Sequence, residues 1–484
     1  MHKPLHASLA LAIALAVSGC ATLVPATPAA APAIPVEWPL PATTRAGQAG
    51  AFAPADPAIA ALPMADVGWR DFLADPALEA VVAQALDSNR DLRVAILNVE
   101  RARAQYGIRR ADRMPSLGAS ATMERVGGDV PDSESYVAGI GLAAFELDLF
   151  GRVRNLGEAA LQQYLATAEA QRSTQLSLVA EVVGAWLALA SDQEQLRLAE
   201  SALETYERTL SLTAQRQALG ATSALEVEQV RTQVEGTRSD VARLQGQVAL
   251  DRNALDLLAG APVPPELLPL RDSGAVVGLT ALPAGLPAEA LLRRPDVIAA
   301  EHRLHAASAN IGAARAAFFP SISLTGSVGS ASDALSGLFD GGARVWSFMP
   351  QINLPIFQGG RLRAGLGVAT AERDIALAEY ERAIQVGFRE VADALAQADA
   401  LARQVRAQQA LVDAATRAES LAQARHAAGL DSSLVRLDAQ RTLYATQQAL
   451  VATRMAEQRN RVTLYKVLGG GWQERSTVAA ARVD

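Results

Sequence analysis

Ser321-Ile-Ser-Leu-Thr-Gly-Ser-Val-Gly329 alternates apolar and polar side chains with period two, so Ile322, Leu324 and Val328 face one way and Ser321, Ser323, Thr325 and Ser327 the other. Ser347-Phe-Met-Pro-Gln-Ile-Asn-Leu-Pro-Ile-Phe357 repeats the pattern, with Phe348, Pro350, Ile352, Leu354 and Ile356 opposing Ser347, Gln351 and Asn353. Segments 116–126 and 137–149 alternate in the same way about 205 residues earlier. Four strands that are apolar on one face and polar on the other read as a wall between lipid and water.

The strands belong to two copies of one unit. Asp91 matches Asp296 and Pro115 matches Pro320 at an offset of 205, while Gly220 matches Gly429 and Gly260 matches Gly469 at 209. Each copy runs helix, two strands, long helix, short helix. Residues 155–219 contain no proline and would extend roughly 95 to 100 Å as a helix, as would 361–428. After Gly220 a return helix over 223–259 and, past the Pro/Gly-rich connection 260–287, a helix over 288–318 together span a similar length. The rods carry coiled-coil spacing: Val227, Val234, Val241, Val248 and Leu255 recur every seven residues, with Val230, Leu244 and Leu258 in a second set that Thr237 and Asp251 interrupt. In the long helix Val182, Leu189, Leu196, Leu203 and Leu210 do the same beside small Ala185 and Ala199.

Residues 1–19 have a basic start at Lys3, an apolar run too short to span a bilayer and a small-residue triplet before Cys20, the one cysteine in 484 residues. This reads as a signal peptide followed by a lipidated cysteine, which leaves no internal disulfide. Residues 20–68 then read as an Ala/Pro-rich extended arm, 69–287 as the first repeat, 288–472 as the second and 473–484 as a tail. The chain holds 44 Lys and Arg against 51 Asp and Glu, a net charge of −7 that loss of Lys3 would take to −8, which disfavours nucleic acid as a partner. After the signal no stretch reaches 18 uninterrupted apolar residues, so no membrane-spanning helix is expected and any crossing falls to the strands.

Four strands cannot close a barrel, and an open edge in lipid leaves unpaired backbone groups that cost several kcal/mol each. Two chains would give eight strands and an interior filled by side chains, whereas three give twelve and a water-filled bore. The fold class is therefore mainly α with a membrane β-barrel: per protomer four strands and long coiled-coil helical hairpins in two repeats, assembled as a homotrimer. Glu146, Asp148, Gln351 and Asn353, with the serines and threonines, suit the lumen. The other structural reading is a lipid-anchored coiled-coil spacer without a pore, which has no use for strands of this polarity.

Six motifs carry a resemblance: Phe145-Glu-Leu-Asp-Leu-Phe-Gly-Arg152, Arg294-Pro-Asp296, Phe319-Pro-Ser-Ile322, Leu354-Pro-Ile-Phe-Gln-Gly-Gly-Arg361, Leu437-Asp-Ala-Gln-Arg441 and Leu464-Tyr-Lys-Val-Leu-Gly-Gly-Gly-Trp472. In this order the chain resembles the outer-membrane factor, or TolC-like, family, in the lipoprotein branch that serves resistance-nodulation-division pumps. The resemblance implies a passive duct through the outer membrane and upper periplasm, with a periplasmic adaptor and an inner-membrane pump as partners. It implies no cofactor beyond a covalent lipid on Cys20.

Gly220 and Gly429 end helical patterns and are followed by capping residues Ser223 and Ser432, a stop and a restart. The resemblance implies that these tips, Gly220, Ala221, Thr222 and Ser223 with Gly429, Leu430, Asp431 and Ser432, ring the periplasmic mouth and meet the adaptor. It further implies that Leu434 and Asp438, four apart on one helical face, form an apolar and an acidic ring there, with Arg425 and Arg441 beside them. His426 departs from the aromatic common in the family, and Ala221-Thr222 from bulkier residues, which bears on the identity of the adaptor.

Enzyme chemistry finds little support. His302 and His305 lie three apart on a helix without a third ligand. Glu146 and Asp148 read more simply as lumen lining than as a glycosidase pair. Gly139-Ile-Gly141-Leu-Ala-Ala144 leads into a strand, so its amides would not converge on a pyrophosphate. There is no P-loop, nucleophile elbow or zinc-protease signature.

Overall fold

The computed structural model describes residues 23–35, 38, 64–129, 131–269 and 288–476. The signal segment, Cys20, most of the arm, the connection 270–287 and the tail beyond 476 lie outside the described residues. In chain order the elements are α1 (Trp69–Phe72), α2 (Pro76–Ser88), α3 (Arg90–Ala111), β1 (Leu117–Val126), β2 (Ser133–Leu147), α4 (Arg152–Ala218), α5 (Ala224–Ala259), α6 (Pro295–Ala316), β3 (Ser321–Ser332), β4 (Arg344–Asn353), α7 (Arg361–Ala427) and α8 (Ser433–Val467). The helix expected over 288–318 is divided: Ala288–Arg293 is a 3-10 turn, and α6 starts at Pro295. Pro295 disfavours helical backbone at Arg294 and is itself at home in a first turn.

The chain forms two compact units. One comprises Leu97–Glu169, Ile298–Ala383 and the described part of Met1–Pro32. It holds a four-stranded antiparallel sheet in the order β1-β2-β3-β4. The strands are 10, 15, 12 and 10 residues long, so β2 and β3 reach beyond their expected ends at Val137 and Gly329. In contrast, β4 stops at Asn353, which leaves Leu354 to Phe357 outside the sheet, where Ile356 and Phe357 are almost fully exposed. Gly139 and Gly329 meet across β2 and β3, where a Cβ on Gly329 would lie 2.2 Å from the Ala138 carbonyl oxygen, so only glycine allows this approach. Between Leu142 and Phe145 the register shifts through a bulge, and Ala144 adopts φ +44° and donates its N–H to Thr325 Oγ1 at 3.2 Å.

Helices follow the strands in the same order. Tyr106 of α3 stacks on Tyr164 of α4, and Ala159 of α4 packs against Ala306 and Ala309 of α6. His302 Nδ1–H donates to Gln162 Oε1 at 2.7 Å across the α4–α6 contact. Phe150 and Phe319, just outside β2 and β3, stack with centroids 4.7 Å apart.

The second unit comprises Ala33–Ile96, Ala170–Val297 and Ile384–Asp484, of which the described residues are considered. Its core joins Trp69, Phe72, Leu78, Val81 and Val82 of α1 and α2 to Val182, Val183, Trp186 and Leu189 of α4, Leu255 of α5, and Val462 and Tyr465 of α8. Tyr465 stacks on Phe72 and donates its hydroxyl to the Val67 carbonyl at 2.8 Å. The first residues of the expected tail bond to α1: Trp69 N–H donates to Gln473 O and Arg70 N–H to Glu474 O. Buried Arg294 ties the start of α6 to α7, binding Asp296 at 2.7 Å and Glu390 at 2.8 Å. Along α5 the seam residues Val227, Val230, Val234, Val241, Leu244 and Leu255 are buried; Thr237, which seemed to interrupt them, is buried too.

Candidate functional site

The sheet is the first functional surface. Residues paired directly across antiparallel strands share a face, so the row Glu146, Ser323, Gln351 is one rung of a polar surface. Ser321 with Asn353, and Ser327 with Ser347, make further rungs; on the β1 side Ser120, Thr122 and Glu124 share that face with Gly139, Val137 and Ser135. Met349 and Val345 interrupt it. The opposite face carries Ile140, Leu142, Phe145 and Leu147 of β2, Ile322, Leu324 and Val328 of β3, and Phe348, Pro350 and Ile352 of β4. At the end bearing the two strand connections this apolar face finishes in Arg125, Tyr136, Arg344 and Trp346, the charged and aromatic composition of a membrane interface. Among the described residues β1 and β4 each have one edge with no partner strand, and every residue of both strands is exposed.

Of the four residues expected in the lumen, Glu146, Gln351 and Asn353 lie on the polar face. Asp148 lies past the end of β2: its carboxylate accepts the N–H groups of Val153 at 3.1 Å and Arg154 at 2.6 Å and caps α4. Glu146 is also engaged, in a two-pronged pair with Arg152 in which Nε donates to Oε1 at 2.9 Å.

The helix tips are built alike in both copies. Gly220 has φ +71° and Gly429 φ +73°, left-handed backbone that a residue with a Cβ adopts only under strain. Ala221 N–H returns to Arg216 O and Gly220 N–H to Gln217 O; Leu430 and Gly429 do the same to Arg425 and His426, so both turns satisfy the last helical carbonyls in one pattern. The restarts differ. Ser223 Oγ accepts Glu226 N–H at 3.2 Å and caps α5, whereas Ser432 makes no side-chain cap to α8.

Arg425 is engaged within its own turn, donating Nε to Asp431 at 2.7 Å and Nη2 at 3.0 Å and holding the Asp431 carboxyl below its ordinary range. His426 Nδ1–H donates to the Asp431 carbonyl at 3.1 Å. Leu434, Asp438 and Arg441 occupy one exposed face of α8, while Ser433 and Leu437 beside them are buried. Arg441 donates to Asp438 at 2.6 Å, an exposed pair three residues apart. Arg425 and Asp438, grouped by the sequence reading, thus belong to separate pairs.

Sequence reasoning passed over Glu226. Its carboxylate accepts the Thr222 hydroxyl, and Ser433 of the other tip, followed by Thr222, holds its pKa below the ordinary glutamate range. The signal was present, since Ser223-Ala-Leu-Glu226 has the spacing of a capping box, whereas Ser432-Ser-Leu-Val435 has no acid there.

Cys20 lies outside the described residues, but residues 23–31 of the arm are bonded to the helices beside them. Arg315 Nη1, in the last turn of α6, donates to the Leu23 carbonyl at 3.0 Å. Thr27 contacts His305, and Ala31 N–H donates to Glu381 of α7 at 3.2 Å.

A four-stranded amphipathic sheet with two free edges, continued by helices of 67 residues, defines a subunit of a membrane β-barrel that carries helical rods. Comparison gives the class its family. A family model described as outer membrane efflux protein matches residues 81–261 and again 286–470, once per repeat. The chain is 44% identical over 476 residues to the antibiotic efflux pump outer membrane protein ArpC of Pseudomonas putida, covering 97% of this chain and 96% of that one. It is equally similar, over the same shares, to the toluene efflux pump outer membrane protein TtgC of the same species. The open state of the MtrE outer membrane channel of Neisseria gonorrhoeae superposes with a TM-score of 0.84 at 36% identity, covering 94% of this chain and 100% of that one. The chain belongs to the outer membrane efflux protein family.

Proposed function

We propose that the protein is the outer-membrane duct of a tripartite efflux system, a homotrimer that passes small molecules passively from an inner-membrane resistance-nodulation-division pump and a periplasmic adaptor to the exterior. The observation that carries this reading is the sheet: a polar face, an apolar face rimmed by Arg344 and Trp346, and unpaired edges at β1 and β4. Edges in lipid must pair, and three copies joined β1 to β4 close twelve strands around the face that bears Glu146, Ser323 and Gln351.

The tips at Gly220 and Gly429 form the periplasmic mouth and meet the adaptor, with Leu434 and Asp438 as its narrowing rings. Opening is a shift of population toward splayed tips when the adaptor binds them better in that state. Energy enters at the pump. A lipid on Cys20 anchors the arm; Leu23 bonded to Arg315, five residues before Pro320, suits an anchor close to the strands. Equally similar relatives are named for an antibiotic pump and a toluene pump, so cargo choice belongs to the pump and adaptor, with this chain the shared exit.

Two measurements test the reading together: mass in detergent and conductance in planar bilayers. A mass of three chains with discrete single channels is expected. A lone chain, or a trimer that never conducts, would overturn it and favour the spacer.

A further inference from the structure

The two hairpins of the sheet differ at one rung of the apolar face. Leu117 pairs with Leu142 in the first and Ile322 with Ile352 in the second; the rung eight residues on is Arg125 with Glu134 in the first and Ser330 with Arg344 in the second. Arg125 lies 3.4 Å from Glu134 and 3.7 Å from Asp132 of the adjoining turn, so the chain neutralises the first rung itself. Arg344 faces only a hydroxyl across the pair. It is exposed and makes no ion pair among the described residues. Within the four strands Arg125, Glu134 and Arg344 are the charged side chains of this face, and the end at Leu117, Leu147, Ile322 and Ile352 is wholly apolar.

Arg344 stands at the level of a lipid headgroup. Eight residues of strand rise about 27 Å, and a tilt of about 40° leaves roughly 21 Å of membrane depth between Ile352 and Arg344, close to the apolar band of about 25 Å that such sheets present to lipid. The column beneath it on the same face is Trp346, Phe348, Pro350 and Ile352, with Trp346 76% and Phe348 63% exposed. An indole just below a guanidinium marks the boundary between hydrocarbon and headgroups. A cation there without a counter-charge is costly, and a phosphate relieves that cost, because the planar guanidinium donates to two phosphate oxygens at once.

We infer that Arg344 holds a phosphate of an outer-leaflet lipid of the lipid A type, whose acyl chains lie along the column from Trp346 to Ile352. The inference rests on the duct reading, which places the hairpin end at the exterior because the helices continue from the other end, and it adds a lipid partner and the residues that recognise it. Ser330, directly across the pair with its Cβ about 5 Å away, supplies a second donor to the same phosphate. The unbalanced cation occurs at this end of the face alone, which selects the outer leaflet over the inner. A sugar phosphate bearing several acyl chains uses both the cation and the apolar column, whereas free phosphate uses only the cation.

Native mass spectrometry of the delipidated full chain, mixed with lipid A in detergent, tests the site. Bisphosphorylated lipid A should stay bound to the parent trimer, and Arg344→Ala should retain about tenfold less. Arg344→Lys should fall between, since an ammonium keeps the charge but not the fork. Arg417→Ala, which removes an exposed arginine of α7, should match the parent. Phosphatidylglycerol and dephosphorylated lipid A should be held less well than the bisphosphate, and excess inorganic phosphate should not displace it. Displacement by inorganic phosphate, or equal retention of phosphatidylglycerol, would overturn the assignment to lipid A. Parental retention by Arg344→Ala, in a trimer that still conducts, would overturn the site and leave the duct standing. A lone chain that does not conduct would remove both.

Discussion

Glu226→Ala should open the duct. The carboxylate accepts the Thr222 hydroxyl of its own turn, and its pKa is held below the ordinary range first by Ser433 on the other tip and then by Thr222. A hydrogen bond to a charged acceptor contributes about 1.5–3 kcal/mol, and partial exposure of the site brings the Glu226–Ser433 link to about 1 kcal/mol per chain. If the three chains of a trimer open together, the closed state loses about 3 kcal/mol, on the order of a hundredfold in population. Single-channel recording in planar bilayers should show a matching rise in open probability for Glu226→Ala and Ser433→Ala. Thr222→Ala breaks a bond inside one turn and should change it little. Glu226→Gln keeps a neutral acceptor and should fall between, since charge-assisted bonds are about twice as strong. Because the folded pKa lies below the ordinary value, the link is at full strength above about pH 4 and is lost only as pH falls through the lowered value. Wild-type conductance in both Glu226→Ala and Ser433→Ala, with the trimer intact, would refute the latch.

Asp438→Ala should raise ion leakage through the closed duct, and unchanged conductance would remove Asp438 from the mouth. Asp192 is pushed up to about 6 by burial and then by the neighbouring Asp251 carboxylate. A raised carboxyl pKa gives stability that is full below about pH 4 and is lost as pH rises through about 6, so Asp192→Asn should melt higher than the parent at pH 7.5, by about 1 kcal/mol after allowing for solvent screening, and no higher at pH 4. Trp186→Ala removes a fully buried indole whose N–H donates to Leu267 O at 3.3 Å; a loss of about 3–5 kcal/mol is expected, read as a lower denaturation midpoint.

The alternation at Ser321–Ser332 and the seven-residue recurrence from Val227 to Leu255 were legible without coordinates because both are local: a side chain's face follows from strand or helix period alone. The same holds for the turns at Gly220 and Gly429, where positive φ selects glycine. Strand ends were less legible, since β4 gives way at Asn353 although apolar alternation continues to Ile356. Asp148 alternates like a strand residue, and only its proximity to the N–H groups of Val153 and Arg154 makes it a cap. The partners of Arg425 and Asp438 could not be chosen from spacing, because several acids lie within reach of a long guanidinium and geometry selects among them. Sequence by itself determined the amphipathic strands, the rods and the duplication; tertiary structure alone decided that Asp148 caps α4 and that Arg425 pairs with Asp431 while Arg441 pairs with Asp438. Periodicity specifies which face of an element is apolar, whereas which faces meet depends on packing between segments some two hundred residues apart.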